Sequence, residues 1–136
     1  MTARILQPAQ WPRPSGYANG ISVRGRQIFL AGQIAWNEQC ELVGDDLVSQ
    51  SRQALLNIVE ILRCDGAGPE HLVRLTWYVL DRNAYVASAR ALGEVYREVV
   101  GRHYPAMSAV QVSALIEPGA LVEIEATAVV PDDVSA

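Results

Sequence analysis

The sequence predicts an α+β fold in which two helices cover one face of a mixed β-sheet. Alternating apolar and polar side chains indicate strands at 27–33, 71–80 and within 103–130, and two intervening segments carry apolar residues at helical spacing. The order is β-β-α-β-α-β-β, and two helices are too few to cover both faces of a sheet of four to six strands. A single domain is expected over 1–136, with an extended segment at 1–15 and a polar tail at 131–136.

Composition limits the partners of this chain. Its 136 residues are 50% hydrophobic, which is enough for a core, and the formal net charge is −4 with a pI of about 5.1. This balance argues against nucleic acid and membrane partners, because both select clustered Lys and Arg. No apolar run reaches the about 20 residues of a membrane helix and no signal peptide is evident, so we expect a cytoplasmic protein. Cys40, Cys64, His71 and His103 lack metal-ligand spacing, so we expect no metal.

The N-terminal segments are expected to form short strands. A first strand is predicted near 3–6. Segments 21–23 and 27–33 are expected to pair with each other as a hairpin around Arg24-Gly25-Arg26. A polar loop at 37–44 then leads to the first helix.

Two helices follow from capping residues and apolar spacing. Asp45 or Asp46 can cap the first helix, and the Gly-Ala-Gly-Pro sequence at 66–69 ends it. The second helix is expected to run without interruption from about Asn83 to Val100, with Gly101 as a left-handed cap. The expected buried stripes are Leu47, Ser51, Ala54, Leu55, Ile58, Ile61 and Leu62 in the first helix and Tyr85, Ala89, Leu92, Tyr96 and Val99 in the second.

The strand at 71–80 and two strands within 103–130, joined by a turn at 117–119, each have one apolar and one mixed face. Val73 is expected on the apolar face and Leu72 on the mixed face. The mixed face is too apolar for an open surface and too polar for a dry core, so we expect other copies of the chain to cover it, leaving clefts between subunits. Its expected members are Arg74, Thr76, Tyr78, Met107, Ala109, Gln111, Glu123, Glu125 and Thr127.

Five segments carry a family resemblance. They are Gly16-Tyr17, IFLAGQ at 28–33, QAL at 53–55 with NI at 57–58, YPA at 104–106 and PGALVEIEA at 118–126. In this order and spacing they resemble the YjgF/RidA family. The resemblance implies a chorismate-mutase-like fold and a homotrimer whose sheets form a central barrel. It also implies small-molecule pockets between subunits, and hydrolysis of reactive imines and enamines to 2-keto acids and ammonia without a cofactor.

The resemblance also implies roles for individual residues. Tyr17 matches the pocket tyrosine of the family, Gly32 the glycine whose backbone approaches the ligand, and Glu123 the glutamate that positions or activates water. A carboxylate within hydrogen-bonding reach can orient a water molecule and accept its proton, which makes Glu123 the candidate catalytic residue. Two structural roles stay open: Glu123 as an interface carboxylate and Tyr17 as an interface anchor.

The chain departs from the family pattern at two pocket positions and in the second helix, which is about one turn longer and has Gly93 near the position of the family's asparagine. Met107 stands where deaminating members place an arginine, and a thioether cannot form the bidentate pair by which that arginine holds a substrate carboxylate. Ala109 stands in place of the usual pocket cysteine. Arg74 is the best-placed substitute for the arginine, but a structural ion pair with a glutamate is the role we expect for it first. A more apolar or uncharged ligand is therefore expected.

Two functions remain open from the sequence. One is an imine or enamine hydrolase with altered substrate choice, and the other is a non-catalytic trimer that binds a metabolite or a partner protein. A chorismate-type enzyme that shares only the fold is a weaker third idea, because fold alone does not determine function.

Overall fold

The computed structural model describes residues 3–132 and contains six strands, three α-helices and one short 3₁₀ helix (Pro69–His71) in that range. None of the helices in that range combines the length and hydrophobicity that crossing a bilayer requires. The elements in chain order are β1 (Arg4–Leu6), β2 (Gly20–Ser22), β3 (Gly25–Gln33), α1 (Leu47–Arg63), β4 (Leu72–Val79), α2 (Arg82–Ala87), α3 (Ala89–Val99), β5 (Ala106–Gln111) and β6 (Val122–Pro131).

Four strands form the central sheet, in the order β3-β6-β4-β5, and β1 and β2 form a separate antiparallel pair. β6 is antiparallel to both of its neighbours, whereas β5 runs parallel to β4. The two predicted C-terminal strands therefore exist, but β4 lies between them. The segment α2–α3 carries the chain over one face of the sheet, as a parallel connection requires.

The predicted hairpin between 21–23 and 27–33 is wrong. β2 pairs with β1, and β3 pairs with β6. Gly25 does not form a turn: it has a φ of 157°, and a Cβ at this position would collide with the backbone of Val130 and Pro131 on β6. The glycine permits a close approach of two strands, which the sequence cannot distinguish from a turn signal.

Helix α1 confirms the prediction from capping and periodicity. The carboxylate of Asp46 accepts a 2.7 Å hydrogen bond from the backbone N–H of Ser49, and hydrogen bonds to Ser49 lower the pKa of Asp46. The helix ends at Arg63, and Gly66 follows with a φ of 67°. Most of the predicted stripe is buried, including Leu55.

The predicted second helix is two helices rather than one. Ser88 leaves helical geometry, with φ −94° and ψ 8°, and separates α2 from α3. The Ser88 side chain makes no capping hydrogen bond to α3, so the break is a change of backbone conformation rather than a side-chain cap. Leu92 and Tyr96 are buried as predicted, but Ala89 is exposed. Gly101 follows α3 with a φ of 96°, which confirms the predicted left-handed cap.

The core lies between the sheet and helices α1 and α3. β4 and β6 place alternate side chains in it. On β4, the predicted faces of Leu72 and Val73 are reversed. The pairing with β6 shifts between Leu72 and Arg74, so that Val73 is an extra residue and Leu72 is fully buried.

The pairing of β5 with β4 shows that the predicted mixed face was also wrong for the β5 residues. Residues that pair across a sheet share a face, and Met107, Ala109 and Gln111 pair with the core-face residues of β4. These three positions therefore lie on the helix-covered face of the sheet. In their place, the open face receives Ala106, Ser108 and Val110.

Candidate functional site

The face of the sheet that the helices leave uncovered, called the open face, is polar along β4 and β6. The pairing places Arg74 beside Thr127, Thr76 beside Glu125 and Tyr78 beside Glu123, so these six residues share this face as predicted. The Tyr78 hydroxyl donates a 2.6 Å hydrogen bond to Glu125 Oε1. This hydrogen bond raises the pKa of Tyr78, because it stabilises the neutral phenol beside a carboxylate.

Glu123 and Gly32 lie against each other. A Cβ on Gly32 would stand 2.8 Å from Cδ and 2.9 Å from Cγ of Glu123, so no other residue fits without moving the carboxylate. The pairing of β3 with β6 shifts between Leu30 and Gln33, and Gly32 lies within this irregularity. A backbone irregularity and a missing side chain therefore leave space for the Glu123 carboxylate, whereas Glu125 is engaged by Tyr78.

Tyr17, Arg74 and Met107 meet at a cleft of about 160 Å³ beside β5. The N–H of Ala18 donates a 3.0 Å hydrogen bond to the carbonyl of Pro105, and this bond fixes the loop that carries Tyr17. Tyr17 is 40% exposed. The predicted ion pair between Arg74 and a glutamate is absent: Arg74 forms no ion pair within residues 3–132.

A single chain does not gather all of the predicted site residues. Glu123 lies on β6 and Met107 on β5, two strand spacings apart, or roughly 10 Å, on opposite faces of the sheet. Ala109 is exposed and borders neither the cleft nor Glu123. The structure thus forms two groups: Gly32 with Glu123, and Tyr17 with Arg74 and Met107.

Sequence reasoning missed a cavity of about 360 Å³ on the helix-covered side, called here the aromatic cavity. Trp77 and Tyr85 meet edge to face with centroids 6.0 Å apart, and Tyr96 and Tyr104 stack at 5.6 Å. Burial raises the pKa of both Tyr85 and Tyr96. Tyr85 and Tyr96 were predicted in the buried stripe of the second helix, and their aromatic rings were the signal available in the sequence. The residues that line the aromatic cavity include Trp77, Tyr85, Tyr96, Arg97, Tyr104 and Met107.

Comparison with known proteins decides the family. The sequence profile described as Endoribonuclease L-PSP matches residues 10–130. A protein of unknown function from the Rid family of Yersinia pestis has a similar structure, with a TM-score of 0.84 and 38% identity, over 96% of this chain and 100% of that one. The chain belongs to the YjgF/RidA family. This confirms the resemblance described from the five sequence segments.

Two curated relatives of this YjgF/RidA chain span nearly its whole length. A RutC family protein from Synechocystis is 35% identical over 133 residues, covering 96% of this chain and 99% of the relative. A goat protein named 2-iminobutanoate/2-iminopropanoate deaminase is 34% identical over 131 residues, covering 95% and 91%. The relative named as a deaminase and the RutC family protein therefore have nearly the same sequence identity to this chain.

Proposed function

We propose that this protein hydrolyses small imine or enamine metabolites, with Glu123 as the residue that orients and deprotonates the attacking water. The observation that carries the proposal is the carboxylate of Glu123 held against Gly32 on the open face. The water oxygen adds to the carbon of the C=N bond, and the proton that Glu123 accepts is passed to the nitrogen. The hydroxyl group formed then gives up its proton, which reaches the nitrogen, the C–N bond breaks, and ammonia leaves with a carbonyl product remaining. The deaminase name of the goat relative supports this chemistry.

We propose further that the active unit is a homotrimer with its ligand pockets between subunits. Glu123 and Met107 lie on opposite faces of one sheet, so a pocket that uses both needs residues from two copies. Phe29 pairs with Thr127 on the open face and is 73% exposed, and Val110 on the same face is 45% exposed. Covering these side chains with other subunits would remove apolar surface from water. Mass measurement in solution tests this part, and a monomer would contradict it.

The substrate is proposed to be more apolar than the substrates of arginine-containing members. Met107 offers no charge to a carboxylate, and losing one charge-assisted hydrogen bond weakens affinity by about ten- to a hundredfold. Arg74 borders the same cleft without an ion pair in the described range, so it can contact a polar group of the ligand. The net charge of −4 does not favour an RNA substrate, although the family description names an endoribonuclease. We also propose that the protein is cytoplasmic, as the sequence predicts.

A coupled assay tests the proposed hydrolysis. An amino-acid oxidase generates imines from polar and apolar amino acids, and disappearance of the trapped imine is followed with and without the protein. We expect acceleration by the wild type and its loss in Glu123→Gln, with the oligomer intact by mass. Glu117→Gln, in the turn before β6, serves as the matched control and retains activity.

A non-catalytic binding protein is the second candidate, because Met107 and Ala109 put inert side chains at the positions where the family resemblance places a charged and a reactive one. In the same assay this candidate predicts no acceleration by the wild type. It is favoured further if activity appears only in Met107→Arg.

A further inference from the structure

Side chains of α1 hold the chain at the point where it leaves the central sheet. Gln33 is the last residue of β3 that pairs with β6, and residues 34–36, called here the anchored segment, follow it. The Asn57 amide nitrogen donates hydrogen bonds to the carbonyls of Ile34, at 3.2 Å, and Trp36, at 2.8 Å. Both carbonyls lie beyond the last ladder pair, so Asn57 supplies hydrogen bonds that the pairing with β6 no longer provides.

Gln53 lies one turn earlier on α1 and fixes the direction in which the Asn57 amide points. The Gln53 Nε2 atom donates a 2.9 Å hydrogen bond to Asn57 Oδ1 and a longer one, of 3.4 Å, to the carbonyl of Trp36. An asparagine amide carries its acceptor and its donors on different atoms of the same planar group. Because its oxygen is bonded to Gln53, the amide turns its nitrogen towards the anchored segment.

The anchored segment begins two positions after Gly32. Gly32 lies in the irregular pairing between Leu30 and Gln33, where β3 has an extra residue relative to β6. A Cβ on Gly32 would stand 2.8 Å from Cδ of Glu123, so the glycine backbone and the carboxylate are already close together. Since only Gln33 separates Gly32 from the anchored segment, a displacement of that segment changes the space left for the carboxylate.

We propose that Asn57 is a positioning residue, whose hydrogen bonds to the anchored segment set the position of the Gly32 backbone against the Glu123 carboxylate. Asn57 acts from a distance: it lies on α1, on the helix-covered side of the sheet, and Glu123 lies on the open face. Its part in catalysis rests on the proposed function, in which Glu123 orients and deprotonates water. A misplacement of about 1 Å can lower the rate of such a step by about a hundredfold.

Asn37 offers a matched control in the loop that follows the anchored segment. Its Oδ1 atom accepts hydrogen bonds from the backbone N–H groups of Gln39, at 2.9 Å, and Glu41, at 3.0 Å. Asn37 and Asn57 are both half-buried. Asn37→Ala therefore removes as many hydrogen bonds to the backbone as Asn57→Ala does, but it leaves the carbonyls of the anchored segment bonded to α1.

Imine turnover measures the effect on the reaction, at a temperature at which circular dichroism shows every variant to be folded. Asn57→Ala is expected to lower kcat by about ten- to a hundredfold with little change in KM, because Tyr17 and Arg74 lie in the separate cleft beside β5. Asn37→Ala is expected to keep the wild-type kcat. Equal losses of kcat in the two variants would indicate a general loss of packing and overturn the proposal.

Two further variants on α1 test the chemistry of the anchor. Asn57→Asp keeps the shape of the side chain but replaces the donor nitrogen by an oxygen, which the two carbonyl oxygens repel, so its kcat is expected to fall at least as far as that of Asn57→Ala. Gln53→Ala is expected to lower kcat in the wild-type background and to add little to Asn57→Ala, because both side chains act on the same segment. A wild-type kcat in Asn57→Asp, or additive losses in the double variant, would contradict the proposal.

NMR spectroscopy tests the positioning without turnover. In Asn57→Ala the amide signal of Gly32 and the carboxyl carbon signal of Glu123, on the far face of the sheet, are expected to move, and both are expected to stay in place in Asn37→Ala. If they move as expected but the wild type hydrolyses no imine, the positioning stands and the proposed hydrolysis fails. If the Glu123 signal stays in place in Asn57→Ala, the positioning is refuted, whether or not the wild type hydrolyses imines.

Discussion

The two faces of the central sheet are built from the same strands and have opposite chemistry. On the open face β4 and β6 present Arg74, Tyr78 and Glu123, and on the covered face they present Leu75 and Ile124 to the helices. Each face nevertheless holds one group that its neighbours do not use: a carboxylate beside Gly32 on the open face, and an indole N–H on the covered face. Alternate side chains of the same two strands thus supply a hydrophobic core on one face and polar groups on the other.

The largest expected contrast is in stability. Leu75→Ala removes a fully buried side chain and should lower the free energy of unfolding by about 2–5 kcal/mol. Thr76→Ala, on the next residue and the opposite face, should change it by about 0.5 kcal/mol or less. Chemical denaturation measures both variants. A cost for Thr76→Ala close to that of Leu75→Ala would show that the open face is as buried in the assembled protein as the covered one.

Gly32→Ala should produce an intermediate effect, confined to the open face. The new Cβ collides with the Glu123 carboxylate and should lower the free energy of unfolding by about 1–3 kcal/mol. In a Glu123→Ala background the collision is gone, so the same substitution should cost far less. Gly20→Ala is a matched strand control, since a Cβ there meets Leu6 at an ordinary 3.4 Å. Equal costs of Gly32→Ala in both backgrounds would refute the steric coupling.

The smallest effect concerns Tyr78 and depends on pH. Its folded-state pKa is raised, chiefly by the hydrogen bond to Glu125, so its contribution to stability is present below the unfolded pKa of about 10. That contribution is lost as pH rises through the folded-state value. Tyr78→Phe should therefore be less stable than the wild type at neutral pH, with a difference that shrinks above about pH 10. Denaturation across this range measures it, and a difference that grows with pH would contradict the assignment.

The sequence was sufficient to predict those helix ends that depend on a single residue. Asp46 caps α1 through its own side chain, and Gly101 ends α3 through its own φ, so both could be predicted from the sequence. The alternation along β6 holds because both neighbours pair with it in register over most of its length. The contact between Gly32 and Glu123 was not predicted, because it depends on the irregular pairing of β3 with β6.

The errors arise where long-range pairing decides the outcome. Whether Met107 faces the helices or the open side depends on the parallel register of β5 with β4, and a shift of one residue reverses every side chain. The extra residue at Val73 reverses Leu72 in the same way. The aromatic cavity was missed because Trp77 and Tyr96 have the spacing of ordinary core residues, and a free N–H is visible only in three dimensions.

The bridge between Ala18 and Ala106 links distant parts of the chain. During synthesis the N-terminal loop leaves the ribosome first, but its partner on β5 is made 88 positions later (106 minus 18). Ser15 and Gly16, which border the aromatic cavity, are therefore made long before Met107 on β5, which borders it with them. The wall of the aromatic cavity needs residues from both ends of the chain, so it can be complete only after β5 has been made.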